Sequence, residues 1–131
     1  HIVTGHVDAL GTIAQKQPEG QALRITYEVP PALEPFIAEK GSIAIDGVSL
    51  TVNSVEPGRF WVMLVPFTRK ETHLDTKAPG ESVNLETDVL AKYVARLVSA
   101  GRWTTEEGEE KPAKGSTGVD MDLLIKQGFA R

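Results

Sequence analysis

The chain has 131 residues, enough for one domain whose core needs no staples. It contains no cysteine, which excludes disulfides, a thiol nucleophile and a thiolate metal site. A net charge of −4 with no cluster of Lys and Arg argues against nucleic acid and anionic membrane as partners, and the longest apolar run, Phe60 to Phe67, is too short to cross a bilayer. No signal peptide is recognisable, so a cytoplasmic protein is the default expectation. The opening His1-Ile-Val-Thr, strand-like and without a Met, suggests a fragment or a processed product.

Residues His1 to Lys16 read as a strand broken or bent at Gly5 and Gly11. His1 and His6 differ by an odd number of positions and face opposite ways in an unbroken strand, and no third ligand stands at metal spacing, so no metal is expected. After the turn Gln17-Pro-Glu-Gly20, a second strand runs from Ala22 to Val29, with Leu23, Ile25, Tyr27 and Val29 on one face. Pro30-Pro31 ends it. A short helix is predicted over Ala32 to Glu39, closed by Lys40-Gly41 with glycine at the C′ position.

The stretch Lys40 to Asn53 is the most informative. Its alternation changes phase at Asp46-Gly47, from Ile43 and Ile45 to Val48, Leu50 and Val52, so the backbone must turn or bulge there. Ser49, Thr51 and Asn53 then share the face opposite Val48, Leu50 and Val52. That polar row either faces water or presents its hydroxyls inward to a pocket.

Downstream, Arg59 to Val65 reads as a strand covered on both faces, interrupted by Pro66, and Thr68 to His73 as one helical turn. Ser82 to Thr87 is another strand, and Asp88 caps a helix running to about Ala100 with Val89, Leu90, Tyr93, Val94, Leu97 and Val98 as its apolar stripe. Residues 1–100 therefore form a barrel unit with its closing helix. Residues 101–131 form a polar linker and a last short helix over Asp120 to Gln127. About six short strands with few helices point to a small closed antiparallel barrel, an all-β fold with helical appendages.

The segments His1-Ile-Val-Thr-Gly-His-Val-Asp8, Lys40 to Val52, Leu64-Val-Pro-Phe-Thr68, Thr72 and Val83-Asn-Leu-Glu-Thr-Asp88 together resemble riboflavin synthase, in its second, C-terminal lumazine-binding repeat. The resemblance runs from His1 to about Leu97 in matching order and spacing. It implies a six-stranded Greek-key barrel and a C-terminal helical tail. It also implies an enzyme that takes two molecules of 6,7-dimethyl-8-ribityllumazine and moves a four-carbon unit from one to the other. The products are riboflavin and a pyrimidinedione, with no metal and no organic cofactor. The family's members carry two repeats per chain and assemble as trimers, so the missing N-terminal repeat and a homo-oligomer are implied partners.

Carried onto this chain, the resemblance makes Ser49 and Thr51 the residues that hydrogen-bond the pteridine ring, with backbone groups around Leu64 and Val65 continuing that contact. Thr68 meets the ribityl chain, Lys40 and Asp46 flank the pocket, and His6, Asp88 and Asn84 lie near the reacting end. Deprotonating the lumazine 7-methyl group puts charge into the ring, which donors aimed at ring oxygens and nitrogens stabilise. His6, with an ordinary pKa of about 6.5, is the natural proton carrier, through Thr51 or Ser49, with Asp88 as its orienting carboxylate. Each has a plain rival: Asp88 as a helix cap, Lys40 as a solvated lysine, His6 as a structural residue. A non-catalytic lumazine- or flavin-binding protein on the same barrel is the alternative function. A barrel binding single-stranded nucleic acid is disfavoured by the acidic charge and the 6% aromatic content.

Overall fold

A computed structural model describes residues 2–101. The expected linker and last helix at 102–131 lie outside them, as does His1. Seven strands form one antiparallel sheet: β1 (Ala9–Glu19), β2 (Ala22–Glu28), β3 (Ser42–Ile45), β4 (Val48–Thr51), β5 (Ser54–Glu56), β6 (Arg59–Leu64) and β7 (Ser82–Thr87). Their order is β4-β3-β7-β1-β2-β6-β5. β7 returns by a long connection to lie beside β1, as in a Greek key.

The count is seven where six was expected, because the strand that starts at Val48 is kinked. Val52 N–H still donates to Gly41 C=O (2.8 Å) on the β3 side, whereas Asn53 N–H donates to Trp61 C=O (3.0 Å) on the β6 side. β4 and β5 are the two ends of the hydrogen-bonded order, yet only Val52 and Asn53 separate them in the chain. The sheet is a curled half-barrel with its two ends joined through that kink, not a uniform closed ladder.

The core fills the concave side. Ile25, Tyr27, Ile43, Ile45, Phe60, Val62, Leu64 and Leu85 are wholly buried, and Tyr27 stacks on Phe60 with centroids 5.3 Å apart. Gly11 is part of this packing: a Cβ there would lie 2.6 Å from Leu85 Cδ1 and 3.0 Å from Glu28 C=O. The strand break in β1 comes later than expected, as a register shift between Ile13 and Gln15. That shift turns Lys16 toward the inner side, where its ammonium meets Asp75 C=O (2.8 Å), Lys77 C=O (3.0 Å) and the Asp75 carboxylate (3.0 Å).

Asp46 and Gly47 both take positive φ (47° and 82°), so of the turn or bulge that the phase change called for, the chain makes a two-residue hairpin turn. The helix expected over Ala32–Glu39 shrinks to a 3-10 turn at Glu34–Phe36, because Pro35 restricts Glu34 and removes a donor. Helix α1 spans Pro66–Glu71, with Pro66 opening it rather than interrupting a strand. Helix α2 spans Val89–Ser99 and is capped as expected, Leu90 N–H donating to Asp88 Oδ1 (3.1 Å). Its stripe is poorly covered: Leu90 and Tyr93 remain 65% and 63% exposed.

Candidate functional site

The concave side is filled by buried apolar side chains, and the polar residues singled out in the sequence lie on the outer side of the curl. Paired residues on adjacent strands share a face. Ile43 pairs with Leu50 and Ile45 with Val48, all inward, which leaves Ser49 and Thr51 on the outer face opposite Ala44 and Ser42. Both are exposed. The expectation that their hydroxyls point inward is corrected: the inner face is the apolar one, and the polar alternates of β4 are on the convex side.

Their backbone groups complete the arrangement. Asn53 N–H bonds toward β6, and in an extended chain every second residue offers its N–H and C=O to the same edge. Ser49 and Thr51 therefore present theirs away from β3, on the edge that faces the end of β6. There the two strands part. The Asn53 side chain takes the place of a ladder carbonyl and accepts from Met63 N–H (3.0 Å), while β6 continues only against β2. Beyond it, Val65 is half exposed, and Thr68 follows in α1. The wedge between β4 and the end of β6 thus has two hydroxyl-bearing residues on one wall and, on the other, the chain at Val65, whose C=O accepts from Arg69 N–H (3.0 Å) as α1 begins. Leu64 stands apart from the other expected residues: its side chain is wholly buried in the core and it pairs with Leu23.

Lys40 and Asp88 come together in a second feature, an open groove of about 520 Å³ between residues 36–42 and α2, floored by Phe36, Leu90 and Val94. That volume is in the range of small-molecule sites. Its lining includes Ser42, which pairs with Thr51 of β4, so only the start of β3 separates groove from wedge. Lys40, not Gly41, adopts the left-handed conformation here, with φ of 68°. A lysine gains nothing from that backbone, which costs about 1–2 kcal/mol relative to a right-handed one, and such positions concentrate where a side chain is wanted.

Asp46 and Asn84 lie at the other end of β3, about 13 Å of extended chain away. Asp46 Oδ1 accepts from Asn84 N–H (2.7 Å) and Oδ2 pairs with Lys77 (3.0 Å), so this carboxylate fastens the hairpin to β7. His6 is exposed, on the segment that precedes β1.

Sequence reasoning missed Glu86. It lies on the outer face of β7 opposite Ala44, yet is only 5% exposed. Its carboxylate accepts from Thr4 N–H (2.7 Å), Thr4 Oγ1 (2.9 Å) and Gly5 N–H (3.0 Å). The Thr4 N–H bond, against the opposing effect of burial and with help from the Thr4 hydroxyl, Gly5 and Lys92, holds Glu86 below its ordinary value of 4.5. Asp8 behaves alike. Burial raises it, but the hydrogen bonds from Lys92 and Thr87 and the Lys92 charge prevail, and its pKa is lowered. Tyr27 is the converse case: its hydroxyl has no partner among the described residues, and burial, with the Asp46 charge second, pushes its pKa up. No group of three or more His, Asp or Glu among the described residues is placed to hold a metal.

The geometry can be set beside known proteins. Residues 4–88 match the family model described as lumazine binding domain. The chain is 41% identical to the riboflavin synthase of Photobacterium phosphoreum over 98% of its own length and 55% of the relative's. It is 46% identical to that of Brucella abortus over 74% and 48%, and 47% identical to that of Mycobacterium tuberculosis over 77% and 52%. It spans about half the length of the curated relatives it matches. Among solved structures, LumP complexed with riboflavin superposes with a TM-score of 0.63 at 24% identity, covering 66% of this chain and 47% of that one. LumP complexed with 6,7-dimethyl-8-(1'-D-ribityl) lumazine gives 0.63 over 66% and 49%. Those likenesses establish the curled lumazine-binding barrel as the fold.

Proposed function

This chain belongs to the lumazine-binding domain family, and from that premise we propose that it is the C-terminal half of a riboflavin synthase. It binds one 6,7-dimethyl-8-ribityllumazine in the wedge beside β4 and contributes to the dismutation that yields riboflavin and a pyrimidinedione. The observation that carries the reading is the coincidence of Ser49 and Thr51 on an exposed strand edge with riboflavin synthase relatives at 41–47% identity. A flat heterocycle with polar edges suits a strand that carries hydroxyls at alternate positions on one face.

In this reading Ser49, Thr51 and the backbone at Val65 hold the ring, and Thr68 meets the ribityl chain. Lys40 and Asp88 line the adjoining groove, with Asp88 toward the reacting end of the ring. Leu64 contributes through its backbone alone, and Asp46 and Asn84 act at a distance by fastening the β3–β4 hairpin. Donors aimed at the ring stabilise the anion formed when the 7-methyl group loses its proton, and His6 carries that proton. The whole enzyme is a transferase that brings two lumazines face to face. One barrel holds only one of them, so a second repeat and an oligomer, a trimer for the intact enzyme, complete the site. Residues 1–100 supply the barrel and 101–131 the tail. The setting is the cytoplasm, and among the described residues no helix is long and apolar enough to cross a membrane.

The alternative of a non-catalytic lumazine carrier has less support, since the LumP likeness lies at 24% identity and speaks for the fold alone. The test is direct. The chain should bind riboflavin and the lumazine by fluorescence titration, with Ser49→Ala and Thr51→Ala each weakening binding by about 0.5–1.5 kcal/mol. Riboflavin should form at an appreciable rate only when an N-terminal repeat is supplied. Binding without turnover in the completed protein would favour the carrier.

A further inference from the structure

We propose that Glu86 is a positioning residue that locks the segment Thr4–Asp8, and His6 with it, against the outer face of β7 as one wall of the ligand site. The inference rests on the lumazine reading for what the wall serves, and on the geometry for the lock itself. A carboxylate removed from water is disfavoured unless donors replace the water. Glu86 has three, all from Thr4 and Gly5. Two consecutive backbone N–H groups converge on one carboxylate only if the chain turns sharply, and Gly5 supplies that turn with φ of 80°.

The segment is pinned again at its far end. Asp8 Oδ2 accepts from Thr87 N–H (2.7 Å) and Thr87 Oγ1 (3.1 Å), Oδ1 pairs with Lys92 of α2 (2.9 Å), and Asp8 N–H donates to Leu85 C=O (2.8 Å). Thr4 and Asp8 are thus held by the adjacent residues Glu86 and Thr87, so the intervening chain must bow outward with His6 at its centre. Glu86, Ala44 and Ser49 form one row across β7, β3 and β4. Two strand spacings, about 10 Å, separate the lock from the Ser49 hydroxyl position. That span matches the width of a two-ring heterocycle and brings the bow to the border of the wedge.

The test uses the full chain with riboflavin as probe. Amide exchange at Thr4 and Gly5 reports the lock, and fluorescence titration reports both Kd and stoichiometry. Glu86→Gln, which turns one of the two accepting oxygens into an amide nitrogen, should lower the protection and raise Kd about tenfold at unchanged stoichiometry. Thr4→Val, which removes one donor, should raise it about threefold, and Thr4→Ser, which restores that donor, should bring it back toward the wild-type value. A merely structural role would lower the binding-competent fraction and leave Kd unmoved, and that result overturns the proposal. So does an unchanged Kd in a Glu86→Gln chain whose Thr4 and Gly5 amides have become less protected. A wild-type chain that binds no riboflavin sinks the lumazine reading and the wall role together, while the lock then stands or falls on the amide protection alone.

Discussion

The inside of the curled sheet and its outer β7-β3-β4 face are built on opposite terms. Inside, Phe60, Tyr27, Ile25 and Leu85 are wholly buried in one apolar cluster, and the one polar side-chain atom among them, the Tyr27 hydroxyl, is left without a partner among the described residues. Outside, nearly every group has a second use. Glu86 and Asp8 hold the incoming segment, Asp46 holds the hairpin, Lys40 sits in a backbone conformation that suits glycine, and α2 turns part of its apolar stripe outward. The first region specifies the fold through buried apolar packing. The second carries polar groups, strain and uncovered apolar surface together, the combination expected where binding and stability compete.

That contrast can be broken at several points, and the largest effect is expected inside. Phe60→Ala removes a wholly buried ring and its stack on Tyr27, and should cost about 3–5 kcal/mol in denaturant unfolding. A loss below about 1 kcal/mol would mean that the interior collapses to fill the space. Lys40→Gly sharpens the outer case, because the two readouts should move in opposite directions. Relief of the left-handed strain, less the extra chain entropy of glycine, should raise stability by about 0.5–1 kcal/mol while ligand affinity falls. A destabilised variant would show that the lysine holds the turn rather than serving the groove.

The smallest effect is the pH dependence. Glu86, Asp8 and Asp75 all have folded-state values below their ordinary 4.5, 3.8 and 3.8. The unfolded chain therefore binds more protons as the medium is acidified through that range. Their contribution is complete above those ordinary values and is lost as pH falls through the lowered ones. Protection of the Thr4 and Gly5 amides, measured relative to their intrinsic exchange at each pH, should fall on acidification before that of the core amides does. Simultaneous loss would tie the segment to global unfolding.

Much of the fold was legible because local chemistry and long-range packing agree. Asp46-Gly47 had to turn or bulge once the apolar phase changed across it, and Asp88 stood where a capped amphipathic helix had to begin. The proposed helix before Lys40 failed for a local reason, Pro35, that the apolar spacing of Leu33, Phe36 and Ile37 masked. The kink after Thr51 was not legible, since it depends on Asn53 reaching Met63 N–H across the sheet. In the site, alternation separated Ser49 and Thr51 from the core residues correctly. It did not say that the wedge lay outside. Glu86 was hidden altogether, because Asn84 and Glu86 alternate like any solvated strand face and only the return of a segment some eighty positions away buries the second of them.

The central claim is that the ligand lies on the convex side, between β4 and the end of β6, with the interior untouched. Amide chemical-shift mapping during a riboflavin titration tests it most directly. The largest changes are expected at Ser49, Thr51, Val65 and Thr68, smaller ones at Thr4 to His6, and none at Ile25, Tyr27 and Phe60. Saturable changes centred on those core residues, with β4 silent, would contradict it.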